Sequence, residues 1–145
     1  MIEGLFQRES VPVMDAALGM AMKRQQAIMN NIANVETPYY KRQTTPDTEF
    51  NQMLQEAIDN RRNSHPSRFV MDGSFNIDVT RRGTKAEPAP MDGEDFGTER
   101  HDQNNVVIEK EMADLSKNTL YIQTMQQLLK KKYVMLRTAA RERVG

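Results

Sequence analysis

Few residues of this chain combine the type and the spacing that acid–base or nucleophilic chemistry requires. The two histidines, His65 and His101, are far apart in loop-like sequence. Glu94 and Asp95 form an adjacent carboxylate pair, but adjacent acids in a loop are usually surface charge. The sequence contains no nucleophile beside a base, no phosphate-binding loop and no spacing typical of metal ligands. We therefore expect no enzymatic activity, no metal site and no cofactor.

The composition narrows the possible partners. The chain has 145 residues, which predicts a single domain, and its 20 Lys plus Arg balance its 20 Asp plus Glu. Because the formal net charge is zero, the sequence does not favour binding to nucleic acid or to an anionic membrane. No apolar run approaches the ~20 residues that a membrane-spanning helix needs, so we expect no membrane insertion. The first ten residues lack the basic start and apolar core of a cleavable secretory signal peptide.

An apolar run near the N-terminus has the spacing of a helix. From Met14 onward the apolar positions alternate in steps of four and three, which places them on one helical face. This seam consists of Met14, Leu18, Ala21, Ile28 and Ile32, with Gln25 as a polar member and Val35 at its end. Pro12 suits a first helical turn, and Pro38 disfavours helical geometry at Thr37. The pattern predicts a helix that ends before Pro38.

A second run with the same period begins near Asn104 and continues to about Arg141. Its seam consists of Ile108, Met112, Leu115, Ile122, Leu129, Tyr133 and Leu136, with Thr119 and Gln126 as polar members. Asn104 or Asn105 can cap the helix start. At ~1.5 Å per residue this helix would be roughly 55 Å long. The two seams predict an all-α fold in which the N- and C-terminal helices form an antiparallel coiled-coil pair.

The chain divides into three parts, and both termini contribute to one structural domain. Residues 1–42 hold the N-terminal helix and its exit, residues 43–103 an irregular middle segment, and residues 104–145 the long C-terminal helix. The middle segment has too few apolar residues for a core of its own.

Two local elements are predicted within the middle segment. Pro46 opens a short amphipathic helix. Its apolar face consists of Phe50, Met53, Leu54, Ala57 and Ile58. Residues 69–79 have the pattern of a small β-hairpin with its turn at Asp72-Gly73. We expect residues 81–103 to form a loop.

The end of the first helix carries asparagines followed by a Thr-Pro pair. Residues 31–41 read Asn-Ile-Ala-Asn-Val-Glu-Thr-Pro-Tyr-Tyr-Lys. This stretch resembles the N-terminal signature of the bacterial flagellar axial proteins, the rod and hook subunits, whose usual form is Asn-x-Ala-Asn-x-x-Thr-Pro-Gly-Tyr. The matching residues are Asn31, Ala33, Asn34, Thr37, Pro38 and Tyr40. Tyr39 stands where the family has glycine. Because a type II turn needs a positive φ at that position, we expect a type I turn or no turn here.

The asparagines at positions 30, 31 and 34 are poor interior helix formers. We interpret them as a fixed helix exit whose polar groups contact another chain, although a fraying helix end would have the same composition.

The C-terminal helix indicates which group of flagellar axial proteins the chain resembles. Residues 105–115 and 133–139 are similar to the proximal rod subunits of the flagellar basal body, and the chain length and lack of a large middle domain agree with them. The resemblance implies a structural subunit that the flagellar type III export apparatus delivers to the periplasm, where it polymerises into the rod without a cleavable signal peptide. The implied partners are further copies of the chain, other rod proteins and the adaptor between the rod base and the membrane ring.

A second apolar stripe lies beside the seam of the C-terminal helix. It consists of Tyr121, Met125, Leu128 and Met135. Together the two stripes are wider than one partner helix covers, so we assign the second stripe to contacts with neighbouring subunits. The alternative is that the short helix of the middle segment folds over it. Since the seams supply few apolar side chains for the number of residues ordered, we expect the chain to complete its folding in an assembly.

A different functional class is compatible with the same features. Eleven methionines can form an adaptable binding face, as in proteins that bind many peptides. The alternative is therefore a helical-hairpin adaptor or export chaperone that binds amphipathic partners. Concentration-dependent growth of large oligomers would favour the subunit, and a discrete complex with one partner would favour the adaptor.

Overall fold

Two long helices from opposite ends of the chain pack against each other in the computed structural model. The structure describes residues 10–63, 77–80, 83–86, 89–90 and 103–142. The elements are α1 (Ser10–Ala33), β1 (Gln43–Thr44), α2 (Asp47–Asn63), β2 (Ile77–Thr80), β3 (Gly83–Ala86), β4 (Ala89–Pro90) and α3 (Ile108–Glu142). A mostly helical class is confirmed, as is the packing of the N- and C-terminal helices.

The α1–α3 pair is antiparallel. Asn31, near the end of α1, contacts Glu111 in the first turn of α3, and the Ala21 carbonyl accepts a hydrogen bond from Asn118 further along. With 35 residues α3 is about 52 Å long, whereas the 24 residues of α1 span about 36 Å. The C-terminal turns of α3 therefore extend beyond the described start of α1.

The buried face of α3 differs in phase from the predicted seam. Its buried or half-buried positions still step by four and three residues: Glu111, Leu115, Asn118, Ile122, Met125, Leu129, Lys132 and Leu136. Three predicted members are exposed instead, with Ile108 at 36%, Met112 at 52% and Tyr133 at 58% exposure. The predicted seam was wrong for these three residues. Glu111 and Asn118 make polar contacts with α1, so the face of α3 that is buried is rotated about the helix axis relative to the predicted face.

α1 shows the same change of phase. Met14, Ala21 and Ile28 are buried, but their buried companions are Ala17 and Asn31. The predicted Leu18 and Ile32 are only half-buried, at the edge of the contact face. Small residues at the interface allow two helix backbones to approach closely, whereas the larger side chains are left at the rim.

α2 packs its apolar face on α1. Phe50 and Ala57 of α2 form a buried cluster with Ala16 and Met20 of α1, and Met53 and Leu54 pack against this cluster. The helix begins one residue after Pro46, as its fixed φ favours, and Asp47 accepts a hydrogen bond from the hydroxyl of Thr45. Ile58, which we expected on the apolar face, is 42% exposed.

Two small antiparallel sheets lie in the middle segment. β2 pairs with β3 from Ile77↔Ala86 to Thr80↔Gly83, and β3 lies against α1. The strand at 77–80 thus pairs with the residues that follow it, whereas the expected partner at 69–71 and turn at Asp72-Gly73 lie outside the described residues. β1 pairs with β4. The expectation of a loop throughout 81–103 was therefore wrong at β3 and β4.

Among the described residues, no helix has the length and apolar character needed to cross a membrane.

Candidate functional site

Asn31 is the centre of a buried polar cluster where the chain leaves α1. The side chain is fully buried. Its Nδ2 donates to the Gln43 carbonyl at 2.8 Å and to Glu111 Oε2 at 3.1 Å. Its Oδ1 accepts from the Gln43 amide at 2.8 Å and from the Tyr40 hydroxyl at 3.1 Å. One amide thus joins the end of α1, the chain after the exit turn and the start of α3.

Arg42 and Glu111 form a buried ion pair beside Asn31. Arg42 Nε donates to Glu111 Oε1, and the Glu111 side chain is fully buried. The Arg42 guanidinium also lies 3.5 Å from the Asp114 carboxylate. A buried charge is costly without a partner, so removal of Arg42 would leave the fully buried Glu111 carboxylate without its ion pair.

Asn104 and Asn105 bind the exit turn and do not cap α3. Asn104 Nδ2 lies 2.9–3.1 Å from the carbonyl oxygens of residues 34, 35 and 37. Asn105 Oδ1 accepts from the Arg42 backbone amide at 2.6 Å. Because α3 begins at Ile108, the prediction that either asparagine caps it was wrong. We call these five residues, Asn31, Arg42, Asn104, Asn105 and Glu111, the exit hub.

Tyr40 closes the exit hub with its hydroxyl. Burial raises the pKa of Tyr40, and the negative charge of Glu111 raises this pKa further. The phenol therefore keeps its proton throughout the neutral range and remains a donor to Asn31.

Hydrogen bonds within the exit turn add to those from Asn104. Asn34 Nδ2 donates to the Asn30 carbonyl at 2.8 Å, and Asn34 Oδ1 accepts from the Thr37 hydroxyl at 3.2 Å. Ala33 and Pro38, the other residues of the family motif, are exposed. We predicted that the asparagines of this stretch would contact another chain. Asn31 is instead buried by its own chain, whereas Asn30 is exposed.

Tyr39 adopts a conformation that glycine favours. Its φ is 60°, in the left-handed region, and its side chain is 72% exposed. The expectation of a type I turn or no turn was wrong in this respect, since the backbone has the positive φ that glycine would supply. A residue with a Cβ costs about 1–2 kcal/mol in this conformation.

The predicted subunit-contact stripe on α3 is largely uncovered. Tyr121, Leu128 and Met135 are 40%, 43% and 49% exposed, whereas Met125 is half-buried. Because α2 packs on α1, the alternative that α2 folds over this stripe is wrong. Met125 lies on the buried face of α3, so the predicted stripe was wrong at this position. The exposed positions in line with Tyr121, Leu128 and Met135 define the outer α3 stripe: Lys117, Tyr121, Thr124, Leu128, Lys131 and Met135.

α1 carries a comparable surface that sequence reasoning missed. Met22 and Met29 are 52% and 55% exposed and lie seven residues apart. With the exposed or half-buried residues that share their spacing, they form the outer α1 stripe: Val11, Asp15, Leu18, Met22, Gln25 and Met29. The signal in the sequence was a second alternation of four and three residues, which shares Leu18 and Gln25 with the seam and otherwise takes the positions next to it.

A polar groove lies between α1, the segment after the exit turn and α3. At its rim Arg24 and Asp47 form a bidentate ion pair, with Nε 2.9 Å from Oδ2 and Nη2 2.7 Å from Oδ1. Burial raises the pKa of Tyr121 on the other wall, and the nearby charge of Arg24 lowers it in part. Asn118 donates to the Ala21 carbonyl at 2.8 Å, but its Oδ1 is buried without a partner. The groove contains ion pairs and helix contacts and has no nucleophile–base pair.

Within the ranges that the structure describes, no group of three or more His, Asp or Glu side chains could hold a metal ion. No protein-family model matches the chain, and no curated protein matches it significantly. The site must therefore be interpreted from its own geometry, which in the described residues is a buried polar exit between two helices with two partly exposed stripes beside it.

Proposed function

We propose that this chain is a structural subunit of the bacterial flagellar basal-body rod, of the proximal type called FlgB. It polymerises through coiled-coil packing of its terminal helices and forms part of the drive shaft. The observation that carries this proposal is the backbone of Tyr39, whose φ of 60° stands where the axial-protein signature has glycine. Tyr39 has the positive φ that glycine adopts readily, so the backbone turn expected of the signature is kept although the residue differs.

The exit hub supports the same proposal. Asn31 and Tyr40 of the signature bond to each other, and Asn34 and Thr37 bond across the exit turn. The motif thus acts as one unit that sets the direction of the chain after α1. A subunit that must present both terminal helices to neighbours requires a fixed exit of this kind.

The uncovered stripes support assembly. An apolar surface of several turns on a monomer usually marks an interaction site. The proposed neighbours are other copies of the chain, other rod proteins and the adaptor at the rod base. In this proposal the chain reaches the periplasmic rod through the flagellar type III export apparatus.

An adaptor or export chaperone is the second candidate, because exposed methionines favour it. Met22, Met29, Met112 and Met135 are all about half exposed. Flexible methionine side chains suit a surface that accepts several amphipathic partners. A chaperone of this kind would remain in the cytoplasm and form a discrete complex with one partner.

The test is deletion of the gene in its own bacterium, followed by isolation of basal bodies. The rod proposal predicts membrane rings without a rod, non-swimming cells, and recovery of both by the wild-type gene, with the protein present in the isolated basal bodies. Rods that form normally without the protein would contradict the proposal. A protein confined to the cytoplasm in a complex with one partner would favour the chaperone.

A further inference from the structure

The two outer stripes have matching spacing. The outer α1 stripe runs from Val11 to Met29 in alternating steps of four and three residues. The outer α3 stripe runs from Lys117 to Met135 with the same alternation. Two helices whose exposed positions share this period can interdigitate along a common seam.

The charges on the two stripes are opposite. Asp15 is the charged member of the outer α1 stripe, whereas Lys117 and Lys131 are the charged members of the outer α3 stripe. Among the described residues, neither Asp15 nor Lys131 forms an ion pair, and Lys117 lies 3.8 Å from Asp114 with 78% of its side chain exposed. Each stripe therefore offers the charge that the other lacks.

Among the described residues, both stripes lie mainly outside the face through which α1 meets α3, although Tyr121 also lines the groove beside α1. α1 meets α3 through Ala21, which contacts Asn118, and through Asn31, which contacts Glu111. α2 covers α1 at Ala16 and Met20, which are not stripe residues. Within the described part of the chain, Met22, Met29 and Leu128 therefore remain about half exposed at positions that a second copy can contact.

One register satisfies both the spacing and the charge. If the helices run parallel, no alignment of the four-and-three steps places a lysine opposite Asp15. If they run antiparallel, Asp15 opposite Lys131 also places Leu18 opposite Leu128 and aligns all six positions of each stripe. Asp15 opposite Lys117 would instead place Leu18 against the Asp114 carboxylate and leave most of both stripes unpaired.

We propose that the outer α1 stripe of one copy packs antiparallel against the outer α3 stripe of a second copy, with Asp15 opposite Lys131. The full set of opposed residues is Val11–Met135, Asp15–Lys131, Leu18–Leu128, Met22–Thr124, Gln25–Tyr121 and Met29–Lys117. The contact joins two different surfaces, so each copy can bind one neighbour on each side and a row of copies results.

The register also sets the offset between neighbours. Within one chain Ala21 lies beside Asn118, whereas the neighbour's Met22 would lie beside Thr124. The neighbour is therefore displaced along α3 by one to two turns, roughly 6–10 Å. The copies lie side by side, and this contact deepens the proposed rod function by naming the surfaces through which one copy meets the next.

Disulfide crosslinking between two different variants tests the register. The chain has no cysteine, so single cysteines report cleanly. Full-length Leu18→Cys and Leu128→Cys chains are mixed and oxidised, and the mixed dimer is identified by mass. The matched control replaces Leu128→Cys with Leu120→Cys, on the same helix, more exposed and outside the stripe. We expect the 18–128 dimer to form in clear excess over the 18–120 dimer, and equal yields would overturn the proposal.

Charge reversal tests the ion pair. Asp15→Lys and Lys131→Glu should each weaken self-association by about threefold, measured by sedimentation over a range of concentrations, because an exposed pair contributes modestly. The double variant Asp15→Lys with Lys131→Glu should restore association, and failure to restore it would overturn the proposed register.

The two proposals can fail separately. If wild-type rods form and contain the protein but the 18–128 crosslink is absent, the register is wrong and the rod function stands. If Leu128→Cys crosslinks to a cysteine in another rod protein in preference to Leu18→Cys, the second copy is the wrong occupant. If the crosslink forms but basal bodies lack the protein, the self-contact stands and the rod function is wrong.

Discussion

The exit hub and the outer stripes reverse the usual arrangement of polar and apolar residues. In the exit hub, Asn31 and Glu111 are completely buried and bonded to one another. In the outer stripes, Leu128 and Met29 are about half exposed. The hub fixes the direction of the exit through buried polar contacts, whereas the stripes leave apolar side chains exposed. In the rod proposal the hub stabilises one copy and the stripes supply the contacts between copies, so the two regions can be tested separately.

Loss of the buried ion pair should have the largest effect on the single chain. Glu111→Leu removes the closest counter-charge of the buried Arg42, leaving the Asp114 carboxylate at 3.5 Å, and also removes one acceptor of Asn31. We expect a loss of about 3–5 kcal/mol in the free energy of unfolding, measured by thermal or urea unfolding of monomer. The exposed Glu109, two residues earlier on the same helix, is the control, and Glu109→Leu should change this free energy by less than about 0.5 kcal/mol. Equal effects of the two variants would show that the hub does not hold the fold.

A charge in the outer α3 stripe should act on assembly and leave the single chain intact. Leu128→Glu places a charge where a neighbour's apolar surface would cover it, and such a buried unpaired charge is costly. We expect a protein that is expressed and exported with an unchanged unfolding midpoint but does not enter rods, so the cells do not swim. Normal rods carrying Leu128→Glu would contradict the assignment of this stripe to neighbour contacts.

The sequence predicted the helix pair, but only part of each seam. Ala21, Ile28, Ile122 and Leu129 are buried where the four-and-three pattern placed them. The companions were missed because hydrophobicity favours Leu18 and Met112 over their neighbours Ala17 and Glu111. A buried polar network can reverse that preference, and no spacing in the sequence links Arg42 to Glu111, 69 residues away.

For the candidate site, the sequence identified some of the residues but not the contacts between them. The asparagine motif singled out Asn31 and Tyr40, but their contacts with each other depend on the turn between them. That turn was predicted wrongly at Tyr39, because residue preference disfavours a positive φ for tyrosine and the surrounding contacts enforce it. The four-and-three spacing revealed the α3 stripe, whereas the α1 stripe becomes evident only when the exposure of Met22 and Met29 is known.

A single asparagine in the hub should have an intermediate effect. Asn104→Asp replaces the amide that donates to three carbonyl oxygens with a carboxylate that cannot donate to them. We expect a loss of about 1–3 kcal/mol in the free energy of unfolding, measured by urea unfolding. Asn30 is exposed, so Asn30→Asp is the control and should have little effect. An unchanged stability of Asn104→Asp would show that the exit turn is held without this residue.

Release of the strain at Tyr39 should have the smallest effect. Glycine adopts the positive φ without the steric cost of a Cβ, so Tyr39→Gly should stabilise the chain by up to about 1 kcal/mol in thermal unfolding. Tyr39→Ala keeps the Cβ and should give no gain. If Tyr39→Gly stabilises the monomer but abolishes swimming, the exposed tyrosine itself contacts a neighbour in the assembly, which would extend the assembly surface to the exit turn.

The most direct test of the division between hub and stripes is the reactivity of a cysteine in the outer α3 stripe. Leu128→Cys is labelled with a maleimide in purified monomer and in isolated basal bodies, and the total thiol is measured after denaturation. The chain has no other cysteine, so the label reports position 128 alone. We predict rapid labelling in the monomer and strong protection in the basal body. Equal labelling rates in the two states would contradict the claim that this surface is covered by neighbouring subunits.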